Sequence, residues 1–151
     1  MTAVATGEAA TLREPEAGRR VYRRHEFPEL IDAALFDDGD GLGTMHIVYA
    51  EDVTIPPQRG RSSRSVLVVT VNRGWGAGYF RNPDNWAWIT RNPQPTTEPP
   101  DLLFDPEAGT DFPPGAAIPV GHLRRAIEEY LQTGQRPTYV TWQEAERYMI
   151  Y

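Results

Sequence analysis

Apolar residues Phe27, Leu30, Ile31, Ala34 and Leu35 recur at the i, i+3, i+4, i+7, i+8 spacing of one helical face. This predicts an amphipathic helix over residues 27–36, with Pro28 in its first turn and Asp37-Asp38-Gly39-Asp40-Gly41 ending it. Residues 45–50 read as a strand. Residues 65–71 contain the unbroken run Val66-Leu67-Val68-Val69, which predicts a central strand buried on both faces. Residues 74–80 and 86–90 predict two shorter, aromatic-rich strands, followed by Arg81-Asn82-Pro83 and Arg91-Asn92-Pro93. In both tripeptides the proline keeps the residue before it out of the helical region, so each marks a turn in an antiparallel meander. Alternation along a strand is expected to place Trp86 and Trp88 on one face.

Further along, eight of the fourteen prolines fall between positions 93 and 119, which excludes a helix and leaves room only for short edge strands around residues 102–104. After Pro119, Val120, Leu123, Ile127, Tyr130 and Leu131 repeat at helical spacing, and Gly134 is the expected left-handed stop. Arg136-Pro137 then leads into a final strand over residues 138–142. Residues 1–18 hold few large apolar side chains and are expected to form a disordered tail, leaving residues 19–151 as one folded domain. The class is α+β: a single domain whose largely antiparallel β-sheet packs with an N-terminal and a C-terminal helix.

Composition narrows the function. A chain of 151 residues buries a core without staples, and the absence of cysteine excludes disulfides, cysteine–zinc sites and thiol catalysis. No stretch approaches the roughly 20 apolar residues of a membrane span, and the N-terminus lacks the pattern of a secretory signal, so the expected compartment is the cytoplasm. The net charge of −6 disfavours a nucleic-acid binder and suits a basic partner. Charge is also segregated: residues 25–58 carry eight acids and no arginine, residues 59–91 six arginines and one acid, and residues 92–151 nine acids and four arginines.

No catalytic set emerges. His25, His46 and His122 are far apart and form no H-x-x-x-H pair, so no metal is expected. Ser62, Ser63 and Ser65 lie outside any G-x-S-x-G elbow. The adjacent acids Asp37 and Asp38, and Glu128 and Glu129, read as solvated pairs. Gly39-Asp40-Gly41-Leu42-Gly43 and Gly74-Trp75-Gly76-Ala77-Gly78 lack the spacing of phosphate loops, and a calcium loop starting at Asp38 would place Leu42 fifth and Tyr49 twelfth. The cluster Trp75, Tyr79, Phe80, Trp86 and Trp88 is more informative: buried, it forms the core under a helix, and exposed, it supplies interface anchors.

The residues Asp111-Phe112-Pro113-Pro114-Gly115, Ile118-Pro119, Leu123, Ala126-Ile127, Glu129-Tyr130-Leu131, Thr133-Gly134, Arg136-Pro137, Val140 and Trp142 carry a family resemblance. Their order, an acid before Phe-Pro, a helix ending in Thr-Gly, then Arg-Pro and a strand ending in Trp, resembles the signature of the Imm-one family of bacterial polymorphic-toxin immunity proteins. The resemblance is specific over residues 111–142 and general over the upstream strands. It implies a cytoplasmic, non-enzymatic protein that binds a cognate toxin domain one-to-one. Toxins paired with similar proteins are often nucleic-acid deaminases of the cytidine-deaminase fold. No cofactor, direct nucleic-acid contact or membrane contact is implied. The contact residues do not follow from the signature. The charge pattern points to Asp37, Asp38 and Asp40, and to Asp101, Asp105, Glu107 and Asp111, with Trp75 or Tyr79 as an aromatic anchor. The alternative is a small ligand-binding domain or enzyme with a pocket between the aromatic strands and the C-terminal helix; as an enzyme it needs His46 or His122 beside a carboxylate in a cleft.

Overall fold

In the computed structural model, which describes residues 9–14, 18–36, 44–51, 65–105 and 109–145, two strands come first, β1 (Ala9–Glu14) and β2 (Gly18–Arg23). A 3-10 turn (Arg24–Glu26) leads into helix α1 (Phe27–Ala34). The meander follows as β3 (Thr44–Glu51), β4 (Val66–Asn72), β5 (Trp75–Arg81) and β6 (Ala87–Arg91). The proline-rich segment holds three short strands, β7 (Leu103–Asp105), β8 (Thr110–Asp111) and β9 (Ile118–Pro119), before helix α2 (Val120–Thr133) and β10 (Thr141–Glu144). The main sheet runs β10-β6-β5-β4-β3-β1-β2, all pairs antiparallel, with β9 added against the start of β5 and β7–β8 forming a separate ribbon.

The aliphatic run in β4 does what its composition predicts: every residue from Val66 to Asn72 is buried. Alternation sends Leu67, Val69 and Val71 to one face, where they meet Leu30, Ile31 and Ala34 of α1 and Leu123, Ile127, Tyr130 and Leu131 of α2. Val66 and Val68 go to the other face, with Ile47, Ala77, Tyr79 and Ile89. There the cover is the proline-rich segment, through Leu102, Phe104, Phe112, Ala116 and Ala117. The molecule is thus layered as helices, sheet and an irregular polypeptide.

Proline-rich backbone builds only short ladders, so side chains of the sheet and of the turn after β6 help to hold it. Asn72 Nδ2 donates to the Asp101 carbonyl (2.9 Å) and Thr70 Oγ1 to the Leu103 carbonyl (2.7 Å). Thr90 Oγ1 donates to the Ala116 carbonyl (2.8 Å) while accepting from the Gly78 N–H (3.0 Å), and Asn92 Nδ2 donates to the Ala117 carbonyl (2.9 Å). On the opposite face, Gly76 and Gly78 let α2 approach β5 closely, since a Cβ at Gly76 would sit 2.6 Å from Leu123 Cδ2. Helix α2 stops at Gly134 in the left-handed conformation (φ 66°), as its position predicts.

Three expectations need correction. Residues 9–14 are not a disordered tail: β1 lies between β2 and β3, and Ala9, Ala10, Thr11 and Leu12 are buried. The rest of that tail up to residue 8, with residues 15–17, lies outside the described residues, and Gly18 opens β2. The last strand begins at Thr141, not 138, because Glu129 takes the Thr138 N–H and hydroxyl and draws the chain back along α2. The second aromatic strand begins at Ala87, not at Trp86. Asn82 Oδ1 accepts from the N–H groups of Asp84 and Trp86, closing a turn that leaves Trp86 65% exposed, while Trp88 packs on the helix-side core.

Candidate functional site

The acidic candidates divide by where the chain carries them. Along β7 and the two residues before it, the alternation buries Leu102 and Phe104 and leaves Asp101 exposed and Asp105 half-buried on the outer side. Strand β8 adds Asp111, exposed and paired in register with Leu103, and the Phe112 N–H closes the ribbon on the Leu102 carbonyl (2.8 Å). The ribbon therefore gathers Asp101, Asp105 and Asp111 on the sheet face opposite the helices, and Asn72 and Thr70 pin it there. Asp37, Asp38, Asp40 and Glu107 lie outside the described residues.

Of the aromatic candidates, Trp75 is half-buried at the start of β5, beside the tight Arg73-Gly74 turn, in which both residues take positive φ (51° and 82°). Tyr79 is a correction: it is 1% exposed, and its ring lies 5.1 Å from that of Phe104 under the proline-rich layer. A ring sealed in this way packs the core and offers no surface to a partner.

A cleft of about 780 Å³ opens where β6, β10 and the loop after α2 meet, near where the ligand-pocket alternative looked for one, although sequence reasoning did not name Arg136 or Trp142 as site residues. Its floor includes Phe80, Trp88 and Trp142, with ring centroids of 6.2 Å for Phe80–Trp88 and 6.4 Å for Phe80–Trp142. The Arg136 guanidinium lies over the Trp88 ring at 4.4 Å. Trp142 Nε1 donates to the Pro137 carbonyl (2.7 Å), and Gln143 Nε2 donates to the Thr90 carbonyl (3.1 Å), so the walls are fixed to β6 and to the helix cap. The sequence signal was Arg136-Pro137 after a helix-stopping glycine, but meeting Trp88 required the tertiary fold. A smaller groove of about 310 Å³ runs between the 3-10 turn with α1 and α2, rimmed by Arg24, Arg124 and Glu128 over Phe27, Ile31 and Leu131.

The histidines take no part in either depression. His46 is buried within β3 at 2% exposure, and His122 lies on the outside of α2, its ring edge-on to Tyr139 at 5.9 Å. The cleft contains Glu144 but no histidine, so the acid–base pair that the enzyme alternative needs is not assembled there. Among the described residues no group of three His, Asp or Glu side chains is placed to hold a metal ion, and no helix is long and apolar enough to cross a membrane.

The sequence pattern of Immunity protein Imm1 matches residues 16–144. The chain belongs to this family. The Imm1 match starts just ahead of β2 and ends on the last residue of β10, so it takes in both helices, the meander, the acidic ribbon and the cleft. As a member of Imm1 the chain is a toxin immunity protein, whose business is binding a cognate toxin. No curated protein matches it.

Proposed function

We propose that this Imm1 protein acts without chemistry of its own, binding a nucleic-acid deaminase toxin of the cytidine-deaminase fold one-to-one in the cytoplasm and occluding its active site or substrate channel. The observation that carries the reading is the Imm1 match across nearly the whole folded chain. A deaminase must admit a polyanionic strand to a pocket that reads an unstacked base, so its channel is lined with cations. An inhibitor with net charge −6 and three carboxylates on a pinned ribbon is suited to that channel. Its carboxylates stand in for phosphates, and opposite charge speeds encounter. The proposed contacts are Asp101, Asp105 and Asp111 with Glu107 on the same segment, the acidic loop Asp37, Asp38 and Asp40, and Trp75 as the aromatic anchor.

Co-expression with its cognate toxin domain, followed by a deaminase assay of the purified complex, tests the reading. A stable one-to-one complex with deamination abolished is expected. Asp101→Arg with Asp111→Arg is expected to slow association by about tenfold or more at low salt, with a smaller effect at high salt. A toxin that still kills cells and forms no complex sinks the immunity reading for that toxin. Unchanged association of the double reversal removes the ribbon from the contact.

A further inference from the structure

We infer that the cleft between β6, β10 and the loop after α2 is a second toxin contact, one that takes an extended protein segment presenting a carboxylate to Arg136. The inference rests on the immunity reading above and adds a site of opposite charge on a different part of the molecule.

Arg136 is the only cation of the cleft lining, and among the described residues its guanidinium makes neither an ion pair nor a hydrogen bond. The guanidinium carbon lies 4.4 Å from the centre of the Trp88 ring, and the N–H groups turned away from that ring are available for bidentate pairing with a carboxylate. The group is held ready: Arg136 sits between the helix stop at Gly134 and a buried Pro137 whose carbonyl is tied to Trp142. Preorganisation of this kind lowers the ordering cost that an exposed arginine otherwise carries into a complex.

Two observations favour a polypeptide as the occupant. Strand β10 is the outermost strand of the sheet, paired only with β6 among the described residues, so an extended segment can lie along it. Glu144 lines the same cleft, which penalises a nucleic acid or other polyanion, whereas a peptide satisfies Arg136 with a carboxylate and Glu144 with an N–H donor. The half-buried Trp142, beside the buried Phe80, supplies apolar surface for a neighbouring side chain, and the exposed Trp86 stands on the turn whose Asn82 and Pro83 form part of the rim. Arginine and tryptophan are the residue types over-represented where interface energy concentrates.

Isothermal titration of the purified toxin domain into the full chain tests the inference, with a thermal melt of each variant alongside. Arg136→Ala is expected to weaken binding by about 10-fold or more and Arg136→Glu by about 100-fold or more, with the melting temperature lowered only slightly, because the exposed side chain gives up no more than its contact with Trp88. Arg136→Lys is expected to fail as a replacement, since an ammonium neither stacks on Trp88 nor pairs bidentately. Trp86→Glu tests the same surface from the turn without touching the core, and at least a 10-fold loss is expected there too. Wild-type affinity in both Arg136→Glu and Trp86→Glu overturns the cleft as a contact and leaves the immunity reading standing. Absence of any complex with the wild-type chain overturns both.

Discussion

Replacing Gly76 with alanine puts a methyl group into the closest approach of helix to sheet. The new Cβ would lie 2.6 Å from Leu123 Cδ2, 3.2 Å from the Thr70 carbonyl oxygen and 3.5 Å from Val71 Cγ1. Carbon atoms prefer about 3.5–4.0 Å, so Leu123 must retreat by roughly an ångström. It has little room: Leu123 is fully buried, and its other methyl already lies 3.5 Å from the Cβ position of Gly78. Overpacking of this kind costs about 1–3 kcal/mol, against which the stiffer unfolded chain returns about 0.4–1 kcal/mol. The net loss is about 1–2 kcal/mol, or a melting temperature lower by about 2–8 °C for a chain of this size. Gly121→Ala is the control, because nothing lies within 4 Å of its Cβ position on an exposed turn of α2. It is expected to melt at or slightly above the wild type. Leu123→Ala alone is expected to lose about 2–5 kcal/mol, and less when combined with Gly76→Ala, whose methyl fills part of the cavity. Urea and thermal unfolding of the wild type and the four variants give the comparison. Wild-type stability of Gly76→Ala, with strictly additive losses in the double variant, refutes the seating of α2 on the glycines of β5.

Three other outcomes follow from the packing. Ser65 Oγ gives its single proton to the Gly134 carbonyl (2.6 Å) and lies 3.0 Å from Tyr130 Oη, which accepts from the Ala50 N–H (3.2 Å); Tyr130→Phe is therefore expected to cost about 1–3 kcal/mol in urea unfolding. Deleting residues 1–14 removes an internal strand, so that truncation should abolish the cooperative thermal transition, and a retained wild-type melt would show that β1 is dispensable. The exposed Arg124–Asp32 pair (2.7 Å) should matter little, with Asp32→Ala changing stability by less than about 1 kcal/mol.

Legibility in the sequence tracked how strongly each segment's own side chains determined it. Helix α2 was legible because five buried residues share one face and a glycine stands where the chain must turn left-handed. Strand β4 was legible because only a central position buries seven consecutive residues. Strand β1 was not, since Ala9, Ala10 and Thr11 are small and its burial comes from β2 and β3 on either side. Strand β2 carries Arg19, Arg20 and Arg23, and its inward-facing Tyr22 gives no period alone. The acidic ribbon was visible as a run of carboxylates, but whether they shared a side depended on Phe104 and Phe112 turning inward. Tyr79 illustrates the limit: its type suits an interface as well as a core, and only the layer above it decides.

That layer is joined to the sheet by Asn72, Thr70, Thr90 and Asn92, side chains that grip backbone carbonyls rather than particular residues of the segment. A carbonyl is the same whichever side chain stands beside it, so the outward positions between these grips are open to replacement without disturbing the hydrophobic interior. An immunity protein must keep pace with changes in its toxin. Here the attachment belongs to the strands and the identity of the outer surface belongs to the loop, so that surface can change while the scaffold stays under constant selection for folding.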